Sequence, residues 1–466
     1  MGNDLSICSH CAEPSGDTIT TFAELGVPNE ICSALAGHGI VEAFPIQEMT
    51  LPLALAGQDL IGQAKTGTGK TLGFGIPLLT RLELSPQQVT PQALVIVPTR
   101  ELAIQVTEDL QRAAAQLGAR VISVYGGKAY EPQIELLQQG VDVVVGTPGR
   151  LIDLVNQRHL DLSKIHELVL DEADEMLDMG FLPDVEKLVS KLPNKRQTML
   201  FSATMPGQIV ALARRYMTNP THIRATDSTG EASVVDAIEQ HVWRAHQMDK
   251  PELVARVLQA TGRGLTIVFC RTKRTASSLS EDLSGRGFKV ASIHGDLNQG
   301  AREQALRKFR DGSIDILVAT DVAARGIDVA DVTHVVNYEC PEDSKTYVHR
   351  IGRTGRAGNS GVAITLVDWQ DLTRWQIINK ELGLAFHEPL ETYSSSDHVY
   401  TGLNIPRDVQ GTIGGAKKPE AKNQPSRQRS HGAKQPAKSN RGKQEQSKQQ
   451  RPTRQRIRKS APTDKA

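Results

Sequence analysis

The sequence predicts an α/β fold: two parallel-sheet domains in tandem, followed by a disordered basic tail. Three observations carry this expectation. Short apolar runs alternate with amphipathic stretches, the alternation pauses at a polar segment and restarts, and no Phe, Tyr or Trp occurs from about Arg407 onward. Strands buried on both faces read as continuous apolar runs, and the helices that cover them supply the alternation.

Taken in order, residues 1–19 read as a disordered leader. Within it Cys8 and Cys11 flank Ser9-His10, half the spacing of a zinc site with no second Cys/His pair nearby. The first domain spans 20–224. Its candidate strands are Leu60-Ile61, Ala93 to Val97, Val121 to Tyr125, Val141 to Val145, Glu167 to Leu170 and Thr198 to Phe201. Each is too short for a helix and ends in a polar, Gly- or Thr-containing turn, and Arg100 to Leu117 has helical spacing. Residues 225–235 are small and polar and read as a linker. The second domain, 236–390, repeats the rhythm with Leu265 to Cys270, Val290 to Ile293, Asp315 to Ala319, His334 to Tyr338 and Gly361 to Val367, closed by a helix near Asp371 to Leu382. An extension, 391–405, leads to the tail, 406–466, which cannot bury enough apolar area to offset its ordering entropy.

Composition narrows the class. Of 466 residues, 39% are hydrophobic and 23% charged, as in ordinary globular chains. No run approaches the roughly 18 apolar residues of a spanning helix, and the N-terminus lacks a secretory pattern. Five cysteines form no disulfide framework, so a cytoplasmic, non-membrane protein is expected. The net charge of +1 is unevenly spread. Residues 417–466 carry nine Lys and seven Arg against Glu420, Glu445 and Asp464, a net of +13 that leaves an acidic body. Such a tail suits phosphate-driven, sequence-indifferent binding of a nucleic-acid backbone.

Two motifs carry the chemistry. In Ala64-Lys65-Thr66-Gly67-Thr68-Gly69-Lys70-Thr71 the glycines let backbone N–H groups curl around a phosphate at a helix N-terminus. Lys70 supplies charge to the β/γ-phosphates and the Thr71 hydroxyl suits Mg²⁺. The general pattern starts with Gly, where this chain has Ala64. A hundred residues on, Asp171-Glu172-Ala173-Asp174 follows an apolar strand, so one carboxylate can hold Mg²⁺ while its neighbour faces the attacking water.

With the blocks that surround them, these motifs resemble the DEAD-box RNA helicases over about residues 20–390, in build nearest the bacterial RhlE-like branch with a basic tail. The resemblance implies two RecA-like lobes, ATP and Mg²⁺ as cofactors, and RNA-stimulated ATP hydrolysis that unwinds short duplexes or remodels RNA–protein complexes. An ATP-gated RNA clamp or assembly scaffold would need the same motifs. The Ala64 start matches the family's own first motif. Phe44-Pro45-Ile46-Gln47 looks like its Q motif, in which Gln47 reads adenine and Phe22 stacks near the base. Thr99, Arg100, Gly126, Gly127, Thr147 and Arg150 lie in loops that grip RNA in the family, as do Arg271, Gln299, Arg302 and Thr320 in the second domain. Ser202 and Thr204, with Asp174, match the coupling motif. His349 is assigned a bond toward the Asp171–Asp174 loop, Arg353 and Arg356 are assigned as arginine fingers, and Asp328 is placed near the ribose. Glu172, Asp171, Lys70, Arg353 and Arg356 are thus the expected catalytic set, with Thr71 and Asp171 on the metal. RNA is the expected partner, with ribosome-assembly or RNA-decay proteins as candidates beside it.

Overall fold

The computed structural model describes residues 20–64, 68–224, 238–324, 327, 329, 331–355 and 360–413. The first lobe holds β1 Leu60–Gln63, β2 Ala93–Ile96, β3 Val121–Val124, β4 Val143–Gly146, β5 Glu167–Leu170, β6 Gln197–Ser202 and β7 Thr221–Arg224. They form one parallel sheet in the order β3-β4-β2-β5-β6-β1-β7. Its helices are α1 Asn29–Ala36, α2 Pro45–Leu55, α3 Lys70–Thr80, α4 Arg100–Ala113, α5 Glu131–Gln138, α6 Pro148–Asn156, α7 Ala173–Asp178, α8 Leu182–Val189 and α9 Gly207–Tyr216. Strands β2, β4 and β5 are buried at every position because helices cover both faces. Two apolar clusters result, one on each side of the sheet.

The second lobe holds β8 Ile238–Ala245, β9 Leu265–Cys270, β10 Val290–Ile293, β11 Ile316–Thr320, β12 Val332–Asn337, β13 Gly361–Val367 and β14 Leu390–Thr392. Its helices are α10 Lys250–Val257, α11 Lys273–Gly285, α12 Gln299–Arg310, α13 Asp321–Ala324, α14 Ser344–Ile351, α15 Leu372–Glu381 and α16 Asp397–Gly402, with a 3₁₀ turn at Trp369–Asp371. The strand order, β10-β11-β9-β12-β13-β8-β14, repeats that of the first lobe rank for rank. Lys250, the first residue of α10, is buried, and its Nζ reaches Tyr338 O at 2.9 Å, Leu366 O at 3.2 Å and Asp368 Oδ1 at 3.1 Å.

The expected strands all appear. β7, β8 and β14 are additions. In β7 only Ile223 is buried, β14 has three residues, and β8 is broken by Glu239, Gln240 and His241, so none gives a continuous apolar run. The second lobe also continues past residue 390, where the sequence places an extension. β14 pairs with β8 from Leu390↔Trp243 to Thr392↔Ala245, and Val399, Tyr400, Leu403 and Ile405 join the core around Trp243. Residues 406–413, placed with the tail, stay attached: the Gln259 amide donates to Gln410 O at 2.6 Å, and Ile413 N donates to Arg286 O at 2.8 Å. Four scattered apolar side chains in 399–405, with Val409 packed against their cluster, hold the whole extension, too sparse a pattern to read from sequence. The leader, the linker at 225–235 and the tail from 414 lie outside the described residues.

Candidate functional site: a two-lobe phosphate cleft

β1 delivers the chain to Ala64, and Gly69 then caps α3 with a left-handed φ of 78° and no side-chain cap. A Cβ on Gly69 would stand 2.5 Å from Gln47 Nε2, so both its backbone angle and its neighbours demand glycine. The N-cap thus supplies no side-chain acceptor to the first N–H groups of α3, the arrangement that receives anions. Lys70 is buried, yet its Nζ has no hydrogen-bond partner among the described residues. An orphaned ammonium beside an uncapped helix start fits a phosphate group. Thr71 follows it in α3. Lys65, Thr66 and Gly67 lie outside the described residues, as do Asp328 and Arg356.

Gln47 is buried and tied at both ends of its amide. Oε1 accepts from Phe44 N at 2.9 Å, and Nε2 donates to Gly69 O at 2.7 Å. It therefore braces the phosphate loop, and one hydrogen and one lone pair remain on the amide for a base. Phe22 is packed in the first-lobe core.

Asp171 and Glu172 leave the end of β5 beside Lys70. Glu172 sits at φ 51°, a left-handed conformation that costs a side-chain-bearing residue about 1–2 kcal/mol. Its carboxyl is pushed up to about 7 by burial and by the Asp171 carboxylate, against the opposing pull of Lys70 and Arg353. Burial raises Asp171 as well, with Lys70 opposing. Asp174 behaves differently: burial alone would raise it, but hydrogen bonds from Thr204 and Ser202 bring it below its usual value. Asp174 Oδ2 accepts from Thr204 N at 2.9 Å and Oγ1 at 2.8 Å, and Ser202 Oγ donates to Thr204 O at 2.7 Å. The expected coupling trio is thus one connected network joining the ends of β5 and β6.

The second lobe meets this loop through α14. His349 Nδ1 lies 3.0 Å from Glu175 Oε1, so its partner is the residue just past the tetrapeptide rather than one inside it. Asp174 has Oδ2 committed to Thr204 and Oδ1 to Glu175 N, and Glu175 is the carboxylate that meets α14. Lys345 pairs with Asp178 one turn away. Arg353 donates to Ile327 O at 2.8 Å, and its charge is felt by Glu172, which places it at the cleft. Arg350 turns inward: it is buried and bonds Asp321 Oδ1 and Oδ2 at 2.6 and 2.7 Å.

Several residues expected to face RNA have protein partners. Thr99 caps α4 by accepting from Leu102 N at 3.2 Å. Arg100 donates to Gln299 Oε1 at 3.0 Å across the lobes, and a Cβ on Gly127 would collide with that guanidinium. Gly126 is less crowded, 3.8 Å from the same group. Arg302 pairs with the buried Glu101 at 2.9 Å, again across the lobes. Arg271 bonds Asp371 at 3.0 Å. Arg150 is buried, donates to Lys128 O at 2.9 Å and lies 3.9 Å over the Tyr130 ring. Thr147 precedes α6 and Thr320 ends β11, both at strand ends. The partners Glu101, Asp371 and Glu175 are remote in sequence from the residues they bind or carry no motif signal. Tyr125 and Lys128 also reach Glu303 across the cleft, at 3.3 and 3.0 Å.

Comparison with known proteins bears on this geometry. Residues 44–212 match the DEAD/DEAH box helicase family and residues 249–358 the helicase conserved C-terminal domain. The chain is 48% identical over 362 residues to the ATP-dependent RNA helicase CshA of Listeria monocytogenes, covering 78% of this chain and 69% of that one. With the DEAD-box ATP-dependent RNA helicase CshA of Geobacillus kaustophilus it shares 49% over 349 residues, 75% of this chain and 74% of the relative. Among solved structures, S. cerevisiae Dbp5 bound to RNA and ADP BeF3 superposes with a TM-score of 0.73 at 32% identity, covering 82% of this chain and 98% of that chain.

Proposed function

The chain belongs to the DEAD-box family of ATP-dependent RNA helicases, and from that premise we propose that it couples RNA-stimulated ATP hydrolysis to lobe closure across the cleft of Lys70, Glu172 and Arg353. Closure locally unwinds short RNA duplexes or strips RNA–protein complexes. The observation that carries this reading is the division of the site: the carboxylates and Lys70 belong to one lobe and Arg353 to the other.

Each residue then has a part. Gln47 braces Gly69 and offers its remaining hydrogen and lone pair to adenine. Lys70 and the uncapped start of α3 receive the phosphates. Asp171 and the Thr71 hydroxyl would hold Mg²⁺, which when bound neutralises phosphate charge. Glu172, held near 7, orients water and accepts its proton close to neutral pH. Arg353 arrives only with the second lobe, and such a finger is worth on the order of 10³–10⁵ in rate in related NTPases. The His349–Glu175 and Lys345–Asp178 pairs draw α14 onto α7, directly after the catalytic pair, so closing the lobes and completing the site are one movement. The loops carrying Arg100, Gly126, Gly127, Thr147, Arg150 and Thr320 supply N–H groups, hydroxyls and guanidinium for an RNA backbone, with Arg271, Gln299 and Arg302 stiffening that surface.

The lobes are assigned to 20–224 and 236–390, with the second core reaching 413. Among the described residues no helix is long and apolar enough to cross a membrane, and a cytoplasmic location is part of the proposal. So are ribosome-assembly or RNA-decay partners. Placement in the RhlE-like branch rests on the basic tail alone, while the relatives reported above are CshA proteins. The test is ATPase activation by RNA and DNA of one sequence: RNA should activate and DNA should not. Equal activation by DNA would replace the RNA helicase reading with a DNA translocase.

A further inference from the structure

Outside the cleft, the second lobe exposes an aromatic surface for which the roles above have no use. Of the three tryptophans, Trp243 and Trp375 are buried in the core, whereas Trp369 is 46% exposed. It opens the 3₁₀ turn that follows β13. The Arg244 guanidinium lies 5.1 Å from its ring centroid, and the His246 ring meets it edge-on at 6.2 Å. Met248, 83% exposed, follows on the same turn as His246.

Topology fixes where this surface lies. β8, β13, β9 and β11 run parallel, so Arg244, His246 and Trp369 emerge at the same sheet edge as Arg271 and Thr320. The contact is direct: Asp371, at the end of the Trp369 turn, bonds Arg271 at 3.0 Å and also pairs with Arg374. The nearby carboxylates are already committed: Glu391 takes Arg244 at 2.9 Å, Asp371 is shared between Arg271 and Arg374, Asp368 pairs with Lys250, Glu339 accepts from Arg271 N, and Asp249 accepts from Ser394. Leaving indole in water forgoes about 25 cal/mol for each Å² not buried. A flat aromatic face with an arginine over it, beside loops with phosphate-binding chemistry, is the form taken by sequence-tolerant base-stacking sites.

Resting on the RNA-binding role of the Arg271 and Thr320 loops, we propose that Trp369, with Arg244 and His246, is a stacking platform for an unpaired base of the RNA strand as it leaves the cleft along the strand-end edge of the second lobe. The indole face takes the base and Arg244 lies within reach of the adjoining phosphate. The platform lengthens the bound strand by a contact that reads no sequence.

The full chain is titrated with a single-stranded RNA of about 20 nucleotides, following tryptophan emission of the wild type and anisotropy of labelled RNA for wild type, Trp369→Phe and Trp369→Ala. Because the other two tryptophans are buried, RNA-dependent quenching reports Trp369. The expected result is quenching that tracks the anisotropy, an affinity loss of about five- to a hundredfold in Trp369→Ala, and retention within about threefold in Trp369→Phe. Wild-type RNA that stimulates ATPase without quenching, or Trp369→Ala binding RNA as tightly as wild type, overturns the platform and leaves the surface to a protein partner. RNA that neither binds nor stimulates the wild type is a separate outcome, which removes the helicase premise itself.

Discussion

Replacing Glu172 by Gln should make the protein more stable and abolish its turnover. Glu172 is buried, and its carboxyl is lifted from 4.5 to about 7 by burial and by Asp171. A raised carboxyl binds its proton more tightly folded than unfolded, so the stability it contributes is full below about 4.5 and is lost as the pH climbs through 7. At 1.36 kcal/mol per unit, the loss reaches about 3 kcal/mol by pH 8.5 and about 1 kcal/mol at pH 5.5. Gln keeps the size and the left-handed backbone while removing the titration. The variant should therefore gain about 3 kcal/mol in the ligand-free protein at pH 8.5, with a gain near 1 kcal/mol at pH 5.5. All three tryptophans lie in the second lobe, so their emission is blind to this change. Amide hydrogen exchange in β5 and β6, measured by mass spectrometry at the two pH values, reads it directly. RNA-stimulated ATPase should fall by about 10²–10⁴, the usual contribution of a positioned base. Equal protection at pH 8.5 in variant and wild type would refute the burial argument, and near-normal hydrolysis would refute the catalytic one.

Arg353→Ala should cut RNA-stimulated hydrolysis by about 10³ or more with little change in nucleotide affinity. An isolated fragment of residues 20–224 with full stimulated activity would contradict the cross-lobe role. Gln47→Ala should weaken ATP and lower the ATP/GTP preference, because it removes both the brace on Gly69 O and the base contact. Identical ATP/GTP ratios would leave Gln47 as a brace only. Arg302→Ala strands Glu101 in the closed interface, where an unpaired buried charge costs about 3–5 kcal/mol, so the closed fraction seen by fluorescence transfer between lobe labels should drop by two orders of magnitude or more. Deleting 414–466 should weaken RNA affinity and flatten its salt dependence, the log–log slope falling by about 0.7 for every phosphate that the tail had neutralised. An unchanged slope would leave the tail a solubilising extension.

The sheet and the phosphate loop are legible because both leave dense local signals. β2, β4 and β5 are unbroken apolar runs, and Gly69-Lys70-Thr71 packs its chemistry into adjacent residues. Pairings between distant positions are not legible. Nothing near Arg302 points to Glu101, and nothing near Arg271 points to Asp371, so these arginines read as free to grip RNA when each holds a carboxylate. The motif directs His349 to the right loop but not to Glu175: that Asp174 is held by Thr204 and that Glu175 meets α14 are facts of the folded loop. Residues 390–413 escape for another reason: a three-residue strand and a few apolar side chains carry too little pattern to stand out beside a polar tail.

The matching strand orders give the two lobes corresponding lysines, each opening the helix after the lobe's first strand. An ammonium has three hydrogens to give. Lys250 donates toward Tyr338 O, Leu366 O and Asp368, whereas Lys70 has no such partner among the described residues. The second copy has, in effect, swallowed its own counter-ion, where its twin keeps a buried ammonium without a hydrogen-bonded one. From a symmetrical plan the chain thus obtains two unlike lysines, one held inside its own lobe and one left without a hydrogen-bond partner among the described residues. In the proposed mechanism only the first of the two equivalent seats is open to phosphate, because the second lysine is already held from within.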